Sequence, residues 1–225
     1  MENRKQKLLS HIIEAHIKTA SPVGSSLIVS KYMKDVSSPT VRNEMRDLEK
    51  EGLITQPHTS AGRVPTELGY RRYIENLSER PISEKLKCVI DDASRDFDDN
   101  FLRIKNLAKS VSEISEEAVL VAFSENDIYY TGLSNLFSKP EFSTQNMVIG
   151  ISEAIDGLDS VVSGLSKSLD QDITVLLGSD NPFGDNCGSI LAKFSGGTVF
   201  GILGPMRMDY DKNICLMKYI KNKMN

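Results

Sequence analysis

Residues 36–52, VSSPTVRNEMRDLEKEG, are the most sharply punctuated segment of this chain. Ser38 suits a helix N-cap, Pro39 the first helical position and Gly52 the glycine that closes a helix. Advancing about 100° per residue puts Val41, Met45 and Leu48 on one apolar stripe. Arg42, Arg46, Pro39 and Asn43 fall on a narrow, polar, basic face away from it. Such a face fits the major groove of DNA, where Arg pairs bidentately with guanine and Asn with adenine. Ser37, Ser38 and Thr40 lie at the N-terminus, where hydroxyls and free backbone N–H groups suit a phosphate. A plain solvated amphipathic helix is the other reading of the same pattern. Glu44, Asp47, Glu49 and Glu51 share the helix, so contact with DNA is expected only along its first two turns.

The flanking segments extend that reading. Residues 4–19 place Leu8, Leu9, Ile12, Ile13, His16 and Ile17 at helical spacing, and Pro22 and Gly24 end that helix. SSLIVSKYM forms a second helix with Leu27, Ile28 and Tyr32 inward. After the third helix come LITQ, short and β-favouring, and then QPHTSAGRVPTELGYRRY, residues 56–73. Pro57, Gly62 and Pro65 bend this segment, and Thr59, Ser60 and Arg63 are placed to reach phosphates or the minor groove. His58 is open to two roles, a phosphate or base contact and a structural hydrogen bond. Thr66 caps a following helix, LGYRRYIENL, where Arg71 and Arg72 add positive charge. Helix, helix, helix, strand, turn-rich loop, strand is the order of a winged helix-turn-helix.

Charge is distributed to match. The chain of 225 residues has a net charge of −4, yet residues 1–80 carry 13 Lys and Arg against 10 Asp and Glu, while the remainder carries 14 against 21. A basic module is joined to an acidic one, which suits DNA binding at one end and a different task at the other. The N-terminus lacks the apolar run of a signal peptide and no stretch approaches a membrane span, so a cytoplasmic location and no membrane partner are expected. Cys88, Cys187 and Cys215 are scattered without a C-x-x-C pair, which signals neither a disulfide framework nor a zinc site.

From Ser83 to Glu117 the chain reads as one long helix or two nearly continuous ones. Leu86, Val89, Ala93, Phe97, Phe101, Ile104, Leu107, Val111 and Ile114 recur every three or four residues. Two readings stand: a helix packed on its own domain, and one that contributes to dimerisation. Beyond it AVLVAF, DIYYTGL, ITVLLG, SILAKF and TVFGILG read as strands, with a tight SGG hairpin between the last two. NMVIGISEAIDGLDSVVSGL contains a helix and DKNICLMKYIKNKM is another. The fold class is therefore α+β: a winged helix-turn-helix over 1–80, a linking or dimerisation helix over 81–117, and a small domain with a mostly antiparallel sheet over 118–225. No His lies beyond His58, and neither a nucleophile–base pair nor a glycine-rich phosphate loop is evident, so no enzyme activity is expected. In GPMRMDYDKN, Asp209 or Asp211 is expected to cap the last helix and Arg207 to make an internal or subunit contact.

Four segments carry a resemblance: PVGSSLI, VSSPTVRNEMRDLEKEGLITQPHTSAGRVPTELGYRRYIENL, GLSNLFSKPEF and GILGPMRMDYDKNI. Together and in this order they resemble the heat-inducible transcription repressor family, the HrcA type. The match is nearly complete over residues 5–80 and patchy beyond. The resemblance implies a bacterial repressor with a C-terminal GAF-like domain, here abbreviated. It implies repression of chaperone operons through dimeric binding to an inverted repeat called CIRCE, and assistance from a GroE-type chaperonin that relieves repression under heat stress. The family's recognition helix falls on Ser38 to Arg46 and its wing on Gln56 to Arg63. Its members are longer by roughly a hundred residues, the size of a small domain, inserted within the GAF-like part; here that material is missing near Phe123 to Ile128. No cofactor is implied. The alternative function is a ligand- or metal-responsive DNA-binding sensor with a small-molecule site in the C-terminal domain.

Overall fold

The computed structural model describes residues 2–78, 80–95, 99–124, 127–169 and 173–224. It divides into two compact units, Met1–Ser78 and Glu79–Asn225.

The first unit begins with α1 (Glu2–Thr19), α2 (Ser25–Lys31) and α3 (Ser38–Lys50), followed by strands β1 (Ile54–Thr55) and β2 (Val64–Pro65) and helix α4 (Glu67–Glu75). Leu8, Leu9, Ile12 and Ile13 of α1, Ile28 of α2, Val41, Met45 and Leu48 of α3 and Tyr70 of α4 form its core. Each large apolar side chain buried there contributes about 1.5–3 kcal/mol. His16 Nδ1 meets Tyr70 Oη at 2.8 Å, which ties α1 to α4. Leu27 departs from expectation: it is exposed, because the short α2 turns only Ile28 fully inward. Helix α1 ends at Thr19, as expected; Ala20, with a left-handed φ of 51° and its N–H donating to His16 O, closes it before Pro22 is reached.

Helix α3 starts one residue earlier than its sequence signals. The N-cap is Ser37, whose Oγ accepts from the Thr40 N–H, and Ser38 is already helical. Its end matches: Gly52, at φ 74°, donates to Glu49 O while Leu53 donates to Leu48 O, a paired closure that a left-handed glycine permits. Strands β1 and β2 are antiparallel, with Ile54 opposite Pro65 and Thr55 opposite Val64. Thr66 caps α4 through Gly69 N–H and donates its own hydroxyl to Gly52 O at 2.6 Å.

The second unit opens with α5 (Glu84–Ala93) and α6 (Asn100–Ser115). The stretch expected to link two domains is thus two helices of this unit. Helix α6 buries Ile104, Leu107, Ala108 and Val111, whereas Val89 of α5 is exposed. Phe97, counted in the expected stripe, lies outside the described residues.

A five-stranded sheet follows, from β3 (Ala118–Ser124), β4 (Asp127–Thr131), β5 (Thr174–Leu177), β6 (Cys187–Lys193) and β7 (Val199–Pro205). Its order is β4-β3-β7-β6-β5 and every pairing is antiparallel. Ser124 pairs with Asp127, so the place expected to lack an insertion is a hairpin between adjacent strands. Alternate residues point to opposite faces. Ala118, Leu120, Ala122, Leu191 and Leu203 pack under helices α7 (Leu133–Phe137), α8 (Gln145–Asp156) and α9 (Leu158–Ser168). Val119, Val121, Ile190, Phe200 and Ile202 are buried on the other face, where α6 and α10 (Tyr210–Met224) pack against β3 and β6. The SGG segment turns between β6 and β7, with Phe194 N–H donating to Thr198 O at 2.8 Å. Arg80 pairs with Asp211, and Asp91 receives the Tyr219 hydroxyl, which anchors the stretch from Arg80 through α5 to α10.

Candidate nucleic-acid interface

The apolar stripe of α3 is buried as its spacing predicts, and this fixes what the opposite face presents. Pro39, Arg42, Asn43 and Arg46 are exposed. Arg46 Nη1 donates to Asn43 Oδ1 at 3.3 Å, one turn back, so the two polar side chains are ordered together. At the helix start the Ser37 and Thr40 hydroxyls bond each other at 2.8 Å, and Ser38 Oγ meets Ser25 Oγ of α2 at 3.1 Å.

All four carboxylates of this segment are engaged elsewhere. Arg4 Nε donates to Glu44 Oε1, while Lys5 Nζ lies 3.3 Å from Asp47 Oδ2 and 3.2 Å from Glu51 Oε1. Glu49 Oε2 lies 3.0 Å from Arg63 Nη2. Lys5 makes solvent-exposed pairs that add little stability, whereas Glu44 and Arg63 are largely enclosed. Their effect here is on the field: acid is paired off and the exposed arginines are not.

The turn after β1 is built by its own side chains. Gln56 Nε2 donates to Thr59 O and to Ala61 O, both at 2.9 Å, and Ala61 N–H donates to His58 O. Val23 and Arg63 then exchange backbone hydrogen bonds of 2.8 and 2.9 Å, adding a bridge beside the two-stranded sheet. Gly62 is pressed against that bridge; a Cβ there would sit 2.5 Å from Val23 C and O.

A cleft of about 510 Å³ separates this turn from α3. Arg42 and Arg46 line one wall, Thr59, Ser60, Gly62 and Arg63 the other, and Ser25 and Ser26 its end. Six of the sequence-predicted residues therefore meet in one concavity. Ser37, Ser38, Pro39, Thr40, Asn43 and His58 lie outside its lining. Gln56, Ser25 and Ser26 were not singled out from sequence; the nearest signal is the PVGSS segment. His58 is exposed at the turn, and no structural hydrogen bond of its ring is found among the described residues. Arg63 stands apart from its expected role, with its side chain only 15% exposed and its guanidinium on Glu49. Arg71 and Arg72 are also paired, with Glu67 and Glu75, so they add less net charge than their number implies.

In the second unit, Asp209 Oδ1 accepts from Lys212 N–H at the start of α10, and Arg207 pairs with Glu141. An apolar groove of about 340 Å³ lies between α8 and the β5–β6 loop, lined by Met147, Ile151, Phe183 and Cys187 among others. Burial pushes the Cys187 thiol up to about 12, so it is an inert wall residue.

A chain named heat-inducible transcription repressor HrcA, from Desulforamulus reducens, is 56% identical over 91 residues, covering 40% of this chain and 26% of that one. Its namesake from Carboxydothermus hydrogenoformans is 52% identical over 81 residues, covering 36% and 24%. The aligned segments thus span about a quarter of the length of these relatives. The namesake from Ruminiclostridium cellulolyticum aligns with all of this chain and 97% of its own length at 23% identity, over 338 positions. A solved structure titled as a crystal structure of a hypothetical protein superposes with a TM-score of 0.80 at 17% identity, covering 98% of this chain and 96% of that one, which establishes a shared fold. The family description "HrcA protein C terminal domain" matches residues 70–214, well over half of the sequence, and the chain belongs to the HrcA family, whose curated members carry the name heat-inducible transcription repressor.

Proposed function

We propose that this chain is a non-catalytic, sequence-specific repressor of heat-shock operons. Its first unit is a winged helix, with α3 as recognition helix and residues 56–63 as wing. The observation that carries this reading is the cleft in which Arg42 and Arg46 face Thr59 and Ser60, while every carboxylate of α3 is paired. One DNA strand enters that cleft, where Arg42 addresses a base edge and Thr59 and Ser60 hold phosphates; beside the cleft Asn43 addresses a second base edge, and Ser37, Ser38 and Thr40 hold phosphates at the helix start. His58, exposed at the tip, meets the backbone or minor groove.

Two copies place two recognition helices on the half-sites of the CIRCE inverted repeat, so the working form is a homodimer. The second unit is an abbreviated GAF-like domain, and a GroE-type chaperonin assists it to the active fold in the cytoplasm. A marginally stable repressor answers heat by mass action, since a few kcal/mol decide the folded fraction. Gel shifts with a CIRCE duplex against a scrambled one test the reading; equal affinity for both at physiological salt would sink it.

A second reading is a ligand-responsive regulator, favoured by the groove beside Cys187. Its size is within the range of small-molecule sites. A metabolite or metal that raises the melting temperature and changes operator affinity would favour it.

A further inference from the structure

The exposed arginines of the cleft are free to meet a ligand, but Arg63 is not. Its guanidinium lies 3.0 Å from Glu49 on the last turn of α3, and the two side chains are 15% and 33% exposed. Its backbone exchanges both hydrogen bonds with Val23, two residues before the start of α2. The same residue therefore ties the wing to α3 through its side chain and to the start of α2 through its main chain. Gln56 closes the turn on itself, and Gly62 leaves no space between the turn and Val23. Nothing local demands a charged pair between residues 49 and 63. Backbone pairing with Val23 holds the base of the turn, and the ion pair is a separate side-chain link from the turn to α3.

We infer that Glu49 and Arg63 form a strut that sets the spacing between recognition helix and wing, making both positioning residues for operator binding rather than DNA contacts. This rests on the repressor reading and deepens it. Preorganisation of this kind lowers the ordering cost of binding, because the wing need not be fixed when DNA arrives. It also gives Glu49 a sign opposite to its charge. As an acid near a phosphate backbone it would oppose binding; as half of the strut it favours it.

The test uses the full chain with Glu49→Gln, Arg63→Met and the double substitution. Affinity is read by fluorescence anisotropy on labelled CIRCE and scrambled duplexes across a salt series. Glu49→Gln is expected to weaken binding to CIRCE about tenfold although it removes a negative charge. Arg63→Met should do the same, and the double variant no worse than either, as residues in one network are non-additive. The salt dependence should stay as in the unmodified chain. Tighter binding by Glu49→Gln would overturn the strut. So would a salt slope reduced by about one on Arg63→Met, since that marks a lost phosphate contact.

Amide hydrogen exchange of the DNA-free chain separates this outcome from the fate of the repressor reading. Exchange at Ala61 and Arg63 should quicken in Glu49→Gln, and unchanged protection there overturns the strut whatever the DNA result. If the unmodified chain binds both duplexes equally while exchange quickens, the repressor reading fails and the strut stands as wing architecture. Should Arg63→Met fold poorly by circular dichroism, the near-isosteric Glu49→Gln decides alone.

Discussion

Lys139 Nζ lies 3.4 Å from Glu117 Oε1, and the Glu117 side chain is only 5% exposed with Oε2 unbonded. Burial pushes this carboxyl up to about 7, and the attraction of Lys139, Arg207 and Lys212 offsets that only in part. A raised acid binds its proton in the folded chain at pH values where the unfolded chain has released it. Stability is therefore fullest below the unfolded value near 4.5 and falls as pH rises through about 7. Glu117→Gln should flatten that loss, by up to one proton's worth of slope between pH 5 and 7. Urea unfolding of both forms at a series of pH values checks it, and identical slopes would refute the assignment.

Arg42 is exposed on the cleft wall, with no acidic partner among the described residues. Arg42→Ala should weaken CIRCE binding by about 1–3 kcal/mol and relax the base preference at one position in each half-site. Thermal stability should hardly move. Anisotropy on single-base operator variants reads the first effect and calorimetry the second; an unchanged preference would mean that another face reads the DNA.

Ser37, one residue before the position its sequence signals favour, accepts from Thr40 N–H at 3.3 Å. Ser37→Ala should cost about 1 kcal/mol of stability as a lost cap. Ser38→Ala should cost less. Reversal of that order in denaturant melts would restore Ser38 as the cap.

Gly62→Ala places a methyl group 2.5 Å from the Val23 carbonyl, and backbone cannot retreat as a flexible side chain would. A loss of about 1–3 kcal/mol is expected from such overpacking. Under the proposed function operator affinity should fall with it, because residues 56–63 are pushed away from Val23. A Gly62→Ala chain that melts and binds as the parent does would show that the wing yields without consequence.

Much of the first unit was legible locally. The three-to-four residue spacing of Val41, Met45 and Leu48 decides the face of α3 by itself, and Gly52 and Thr66 mark ends through chemistry confined to neighbouring residues. The strands of the second unit were legible from short β-favouring runs bounded by turn residues. Cap position was off by a residue because Ser37 and Ser38 offer the same hydroxyl. The inward assignment of Leu27 failed because a seven-residue helix has room for one fully buried position.

The sequence by itself determined which face of α3 is apolar, where the basic module ends and which segments extend. Only the tertiary structure decided that Arg63 turns to Glu49 rather than outward, that the helices after Arg80 belong to the sheet unit, and that Glu117 is enclosed. The reason is range: periodicity and caps act within a few residues, while an ion pair between residues 49 and 63 or a carboxylate sealed under Lys139 exists only once distant segments have packed.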